Sequence, residues 1–391
     1  MPVINRIAEF QDDIVAWRRD FHANPELLYD VERTAERVAG LLRSFGVDEV
    51  VTGIGRTGVV GLIRGGGGST QRVIGLRADM DALPILERTG KPYASQVPGK
   101  MHACGHDGHT AMLLGAARYL AETRQFEGTV ALIFQPAEEG GGGGKAMLDD
   151  GLVERFGLTE VYGLHNWPGL PEGQFGIREG AIMAGADQFA IEIEGVGAHA
   201  AMPHLSIDPV MIAAQMVNAL QTIASRNINP LHAAVVSVTT LQAGDAHNVI
   251  PRTARLTGTV RMLDETVRGQ IEARLREVVE GTARTFGAKV NIDYMPGYPV
   301  TVNAPEQAEF ATQVAIDVAG ADRVVRNVPP SMGSEDFSYM LQALPGAYIF
   351  LGQGNTAGLH QDTYDFNDAI IPAGTSYWVR LVETALPARR A

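Results

Sequence analysis

Cysteine is almost absent from this chain: there is one, Cys104, in 391 residues. That excludes an intramolecular disulfide and fits a reducing compartment. Positive charge is also scarce, with 32 Lys and Arg against 45 Asp and Glu, a net charge of −13 and a pI near 5.2. A basic face for nucleic-acid phosphates is therefore not expected. No apolar run approaches the roughly 18 residues that span a bilayer. The opening Met1–Phe10 lacks the apolar core of a secretory leader. The expectation is a soluble cytoplasmic protein with no nucleic-acid or membrane partner. Two glycine runs, Gly65–Gly68 and Gly140–Gly144, lack the Lys-Ser/Thr pair that a phosphate loop needs. No internal repeat is visible.

What remains is ordinary globular composition, 45% hydrophobic and 20% charged. The length suggests two domains, because single cores rarely grow past roughly 250–300 residues. Apolar spacing predicts helices over 3–23 and 31–45, the first stopped by Asn24-Pro25. Short apolar runs at 59–63 and 73–76 read as strands, with Gly65–Gly68 as a hairpin or turn between them. A helix over 108–123 follows, burying Ala111, Leu114, Ala117 and Leu120. Strands are expected at 129–134 and 161–164. Strands alternating with helices argue for an α/β sheet.

From about Gly185 the texture changes to β-α-β-β-α-β, the ferredoxin-like order. Its strands fall at 188–194, 233–241, 254–262 and 289–294, and its helices at 208–225 and 264–286. Asp208-Pro209 supplies a cap and a first-turn proline. The expected division is a catalytic domain over 1–184 and 297–391, with an insert over 185–296. After the insert, helices are expected at 307–319, from Ser334 and at 372–386, with a strand at 347–351.

Chemistry concentrates at Met101–Thr110, which holds three histidines, Cys104 and an aspartate. Cys104-Gly-His106 offers a thiolate and an imidazole, good ligands for Zn²⁺ and its neighbours. A lone cysteine is more often a small buried hydrophobe, but the adjacent histidines and two glycines shift the balance. Glu138-Glu139 follows an apolar strand and Pro136, where solvated charge is out of place. Consecutive side chains diverge, so one carboxylate can bind metal and the other face water, the division a metal hydrolase needs. Asp79, Asp81, Glu138, Glu139 and His165 all fall near predicted strand ends, where α/β sheets bind ligands. His22, at a helix end, reads as structural. A Cys104 nucleophile paired with His165 or His360 is the competing reading, and it leaves Glu138-Glu139 unexplained. A zinc deaminase would need a further Cys-x-x-Cys.

Several stretches together resemble one family. They are Phe21–Glu26, Met101–Thr110, Gln135–Gly140, Gly163–Asn166, Gly197–His204, Asn248–Pro251 and Met332–Phe337. The resemblance is to hippurate hydrolases and auxin-conjugate amidohydrolases, a branch of the dinuclear metallopeptidase superfamily of aminoacylases and carboxypeptidases. It implies an α/β/α sandwich catalytic domain with an inserted ferredoxin-like lid or dimerisation domain. It further implies two divalent metals (Zn, Mn, Ni or Co) held by Cys104, His106, Glu139, His165 and His360. Cys104 stands where other branches place a bridging aspartate, so a bridging thiolate is expected. Glu138 matches the general base, Asp81 an orienting aspartate, and His199 the histidine that supports the substrate carbonyl oxygen. Asn248 matches a substrate-binding residue. Arg261 is a weaker candidate for the substrate carboxylate, since strand-end arginines also pair with neighbouring acids. His102, His109 and His204 match the motifs and are expected to be structural. The implied substrates are N-acyl-L-amino acids, hippurate-like or indole-acetyl conjugates. A homodimer or homotetramer through the lid is expected. A dipeptidase or carboxypeptidase, and a non-catalytic binding protein, are the alternatives.

Overall fold

The computed structural model describes residues 4–66 and 71–388. The chain forms two compact units. The first takes the chain up to Ile182, Val302–Pro329 and the chain from Asp336 onward. The second takes Met183–Thr301 and Pro330–Glu335. The expected insert, 185–296, is therefore extended on both sides. The short return segment joins it because Ala184 N–H donates to Ser331 O at 3.0 Å.

The first unit is built on an eight-stranded mixed sheet. Its spatial order is Glu49–Ile54, Gly58–Arg64, Thr129–Gln135, Val73–Asp79, Glu160–Trp167, Gly346–Gly352, Phe175–Ile177 and Val324–Arg326. The four strands from Thr129–Gln135 through Gly346–Gly352 are mutually parallel. Their carboxyl ends share one edge, and both faces of such strands are normally covered by helices. All four are buried almost throughout.

Three expectations are corrected here. The strands Gly58–Arg64 and Val73–Asp79 do not pair with each other, because Thr129–Gln135 lies between them. The glycine run is therefore no hairpin, and residues 67–70 of that stretch lie outside the described residues. The first helix breaks at Phe10 into Asn5–Glu9 and Gln11–Ala23. His165 stands inside its strand, which runs on to Trp167.

The helix His106–Thr123 is buried on every side over its first three turns, not along one face. Small residues let neighbours approach: a Cβ on Gly115 would meet Ile14 Cδ1 at 2.6 Å. Such a helix belongs inside a core, and truncating Leu113 or Leu114 would cost about 2–5 kcal/mol. Its packing partners are Gln11–Ala23, Ile371–Ala385 and the Val73–Asp79 strand. The helix that begins at His106 is thus fixed by apolar burial.

The second unit has a four-stranded antiparallel sheet in the order Ala234–Ala243, Thr253–Met262, Gly185–Glu194, Lys289–Pro296. The helices Pro209–Thr222 and Glu265–Phe286 pack on it and on each other. This is the ferredoxin-like arrangement. Side chains alternate as a sheet with one open face requires: Phe189, Ile191 and Ile193 are buried, while Gln188 and Glu192 are exposed. Asp208 caps its helix by accepting from Val210 N–H at 2.9 Å, with Pro209 at the first turn. Among the described residues no helix is long and apolar enough to cross a membrane.

Candidate metal centre

The carboxyl ends of the four parallel strands carry the chemistry. Val73–Asp79 leads to Asp81, Thr129–Gln135 to Glu138-Glu139, and Gly346–Gly352 to His360; Glu160–Trp167 holds His165. The helix His106–Thr123 begins at the same edge.

Five side chains meet there as two triads with a shared member. Potential ligand atoms of Cys104, His106 and His165 lie within 4.8 Å of one another, and so do those of Cys104, Glu139 and His360. Cys104 Sγ is 3.4 Å from His165 Nε2, and Glu139 Oε1 is 3.3 Å from His360 Nε2. A shared thiol is the geometry expected of a bridging ligand.

The imidazoles are oriented from behind. His106 Nδ1 lies 2.8 Å from the Asp81 carbonyl oxygen, and His165 Nδ1 lies 2.7 Å from the Asn166 carbonyl oxygen. A carbonyl can only accept, so each Nδ1 carries a proton, and each ring, when neutral, presents its lone pair at Nε2. His106 Nε2 is buried and has no hydrogen-bond partner among the described residues. A buried nitrogen lone pair facing a thiol and carboxylates is costly unless a cation takes it.

The electrostatics say the same. Burial pushes the Cys104 thiol well above its ordinary range, and Glu139, Glu138 and Asp79 push it further. Burial opposes a charge on His106, yet Asp79 and Asp81 outweigh it and raise its pKa to about 10. Thiolate and neutral imidazole therefore coexist here only with added positive charge. The donor set, one thiolate, three imidazoles and one carboxylate, fits divalent ions such as Zn²⁺ or Mn²⁺.

Local backbone makes the approach possible. Gly105, between the two ligands, has φ +100°, and a Cβ there would meet Asn166 Oδ1 at 2.1 Å. Gly143 passes so close to the turn before Glu138 that a Cβ would meet Pro136 O at 1.7 Å. The Gly140–Gly144 run thus packs beneath the two glutamates, and Lys145 pairs outward with Asp149 at 2.7 Å. Ala137 and His360 hold φ of +55° and +63° without being glycine. Strain of this kind collects at functional sites.

Glu138 lies outside the two Cys104 triads but forms further groups of the same kind, one with His106 and Glu139 and one with Glu335 and Asp336, and its carboxylate is 4.0 Å from His106 Nε2. Asp81 accepts from the backbone N–H of Glu138 and of Glu139. His22 is buried between Asp107 and Glu87 and joins no metal-competent group among the described residues. His102 is buried, and burial lowers its pKa to about 3, keeping the ring neutral. His109 spends both nitrogens, on Asp79 at 2.6 Å and on Asn166 at 2.8 Å. Asp79, His106 and His109 also form a group whose potential ligand atoms lie within 4.8 Å of one another.

Sequence reasoning missed the buried frame around the site. Arg77 donates to Gln135 Oε1 at 2.9 Å, Asp79 Oδ2 at 2.7 Å and Asp336 Oδ1 at 3.0 Å. Asp336 also accepts from Gly144 N–H at 2.8 Å. This ties the ends of two catalytic strands together. Its one visible signal was a charged Arg-x-Asp ending an otherwise apolar strand.

In the second unit His199 is exposed and pairs with Val249 across a two-residue ribbon, so Asn248 lies beside it. Its Nδ1 accepts from Ala201 N–H at 3.1 Å. His204 is exposed on a short turn. Arg261 lies eight positions beyond Thr253 on its strand, about 26 Å from that strand's start. It donates to Val260 O at 3.0 Å and to Thr259 Oγ1. The unit therefore brings His199 and Asn248 together and leaves Arg261 apart.

Comparison with known proteins agrees with this geometry. Residues 75–384 match the profile of peptidase family M20/M25/M40. The chain is 42% identical over 381 residues to a hippurate hydrolase of Campylobacter jejuni, covering 97% of this chain and 98% of that protein. It is also 42% identical over 356 residues to thermostable carboxypeptidase 2 of Saccharolobus solfataricus, covering 90% and 88%. The solved YXEP protein of Bacillus subtilis, described as a dinuclear metal binding peptidase, superposes with a TM-score of 0.85 at 33% identity, covering 98% and 100%.

Proposed function

The chain belongs to peptidase family M20/M25/M40, and from that premise we propose that it is a metal-dependent amidohydrolase of N-acyl-L-amino acids. It would release a carboxylic acid and a free amino acid. The observation that carries this is the pair of ligand triads sharing Cys104, with the Glu138 carboxylate beside them, 4.0 Å from His106 Nε2. Hippurate-like aromatic acyl amino acids are the leading substrates, and indole-acetyl conjugates come next. The likeness to a hippurate hydrolase supports the first.

Cys104, His106, Glu139, His165 and His360 would hold two divalent ions, with zinc, manganese, nickel and cobalt all suited to these donors. Bound metal supplies Lewis acidity to the amide carbonyl and acidifies water. Glu138 takes the proton of the attacking water and returns it to the leaving amine as the C–N bond breaks. Asp81 fixes the direction of Glu138 through its backbone. His199 is assigned the support of the developing oxyanion. With Nδ1 accepting from Ala201, its Nε2 carries the N–H such a role requires. Asn248, its neighbour, is assigned to the substrate's free carboxylate. Arg261 is the weaker candidate for the same carboxylate.

The same proposal includes a homodimer or homotetramer through the insert. Its sheet ends on the strand Ala234–Ala243, which exposes Val235 and Leu241, an edge suited to pairing. A cytoplasmic location suits a ligand thiol that must stay reduced. A carboxypeptidase or dipeptidase on the same scaffold is the second reading, favoured by the likeness to thermostable carboxypeptidase 2. Faster turnover of Gly-X dipeptides than of acylated amino acids would select it. A non-catalytic role is disfavoured because the ligands and the base are all present.

The test is glycine release from hippurate by chelator-stripped protein, with and without added Mn²⁺ or Zn²⁺. Release restored by metal is expected. Full activity in verified metal-free protein would overturn the metal reading and return Cys104 as nucleophile.

A further inference from the structure

The strand that carries His165 ends two residues later at Trp167. Side chains two apart on a strand leave the same face. The Trp167 ring centre lies 6.1 Å from that of His165, edge to face. Behind it stands Phe350, stacked at 4.0 Å and 24°. Phe350 is the register partner of His165 on the neighbouring parallel strand. Tyr348 lies 6.5 Å from His165 and 6.2 Å from Phe350, and Phe337 packs on Tyr348 at 5.4 Å.

These four rings form a continuous aromatic wall against one ligand of the centre. Phe337, Tyr348 and Phe350 are 1% exposed or less, so they are committed to the core. Trp167 alone among them is partly exposed. Its place is fixed: its carbonyl oxygen accepts from Leu170 N–H at 3.4 Å and from Gln353 N–H at 3.2 Å. It also stands at the carboxyl end of a central parallel strand, the edge on which α/β sheets bind ligands. A rigid, backed, half-open indole beside the reacting centre is suited to receive a flat ring. Aromatic pairs meet at about 4.5–7 Å between centres.

We propose that Trp167 is the specificity-determining wall for the acyl group, favouring a flat aromatic acyl chain over a small aliphatic one. This rests on the amidohydrolase reading above. A merely structural Trp167 would cap the sheet edge and affect every substrate alike.

The test compares metal-replete wild type, Trp167→Ala and Trp167→Phe on benzoylglycine and acetylglycine. The ratio of kcat/KM for benzoyl over acetyl should fall roughly tenfold in Trp167→Ala and be largely kept in Trp167→Phe. An unchanged ratio, or equal loss on both substrates, overturns the proposal. A second readout needs no turnover. The other two tryptophans, Trp17 and Trp378, are buried at 8% and 1% exposure. Benzoylglycine should therefore quench the fluorescence of wild type, acetylglycine should not, and Trp167→Phe should lose the quenching. Quenching without hydrolysis would reject the amidohydrolase reading and keep the aromatic site. Hydrolysis of benzoylglycine with no change of ratio would reject the wall and keep the function. Neither hydrolysis nor quenching rejects both.

Discussion

Asp81 holds Glu138 through the backbone: its Oδ1 accepts the Glu138 N–H at 2.9 Å, while Oδ2 accepts the Glu139 N–H at 3.0 Å. Successive side chains diverge, so pinning both amides sets the angle between the two carboxylates. The turn is closed from the other side as well, where the N–H of Ala137 donates to Leu28 O at 3.1 Å. The Asp81 carbonyl oxygen, in turn, receives His106 Nδ1 at 2.8 Å. One buried residue therefore aims the proposed base, one carboxylate ligand and one imidazole ligand.

Asp81→Asn keeps the shape and inverts one contact. An amide NH₂ would face a backbone N–H, leaving a buried donor unpaired at about 1–3 kcal/mol. The variant should melt lower and lose roughly a hundredfold in kcat, because small misplacement of reacting groups is expensive. KM should change little, since Asp81 is not assigned to substrate. Steady-state kinetics on metal-replete, folded variant is the check. Near-normal kcat would remove Asp81 from the positioning role.

Glu138 and Glu139 are neighbours with different expected losses. Both lie in one group with His106, but only Glu139 also joins Cys104 and His360. Glu138→Gln should keep bound metal near the wild-type level and lose at least a hundredfold in turnover, typical of a missing general base. Glu139→Gln should lose metal, read by elemental analysis after gel filtration. The opposite pattern would exchange the two assignments.

The centre was legible in the sequence because each part is a short segment at or near the end of a strand or the start of a helix. Cys104-Gly-His106, Glu138-Glu139, His165 and His360 could be named without knowing which strands touch. Gly105 and Gly108 were expected to allow close approach, and both do: a Cβ on Gly108 would meet the Phe366 ring at 2.2 Å. What escaped depends on contacts between distant segments. Arg77 meets Asp336 across 259 positions, and no periodicity signals that. The strand order defeated the Gly65–Gly68 hairpin for the same reason. Phe175–Ile177 and Val324–Arg326, at three residues each, are too short for an alternation to register. The break at Phe10 leaves the 3.6 spacing of apolar residues almost intact, so spacing alone could not reveal it.

The buried cluster around His22 makes a pH prediction. His22 Nδ1 lies 2.8 Å from Asp107 Oδ2, and its Nε2 lies 3.2 Å from Glu87 Oε1. Burial opposes a charged ring, but these two bonds outweigh it and raise the pKa from 6.5 to about 9. A folded-state pKa above the unfolded value stabilises the fold fully below about pH 6.5 and progressively less as pH rises through 9. The difference of about 2.5 units, 9 less 6.5, corresponds to something on the order of 3 kcal/mol. The other groups that face His22 hold one state across this window. Arg18 and Tyr93 are raised, burial keeps His102 neutral at about 3, and Asp107 and Glu87 are lowered. Denaturant unfolding of metal-replete wild type should therefore show stability falling between pH 6.5 and 9.5. His22→Gln should be less stable at pH 6.5 and nearly flat over that range. Equal slopes for the two proteins would mean that His22 is neutral in the fold, with one of its two carboxylate neighbours carrying the shared proton.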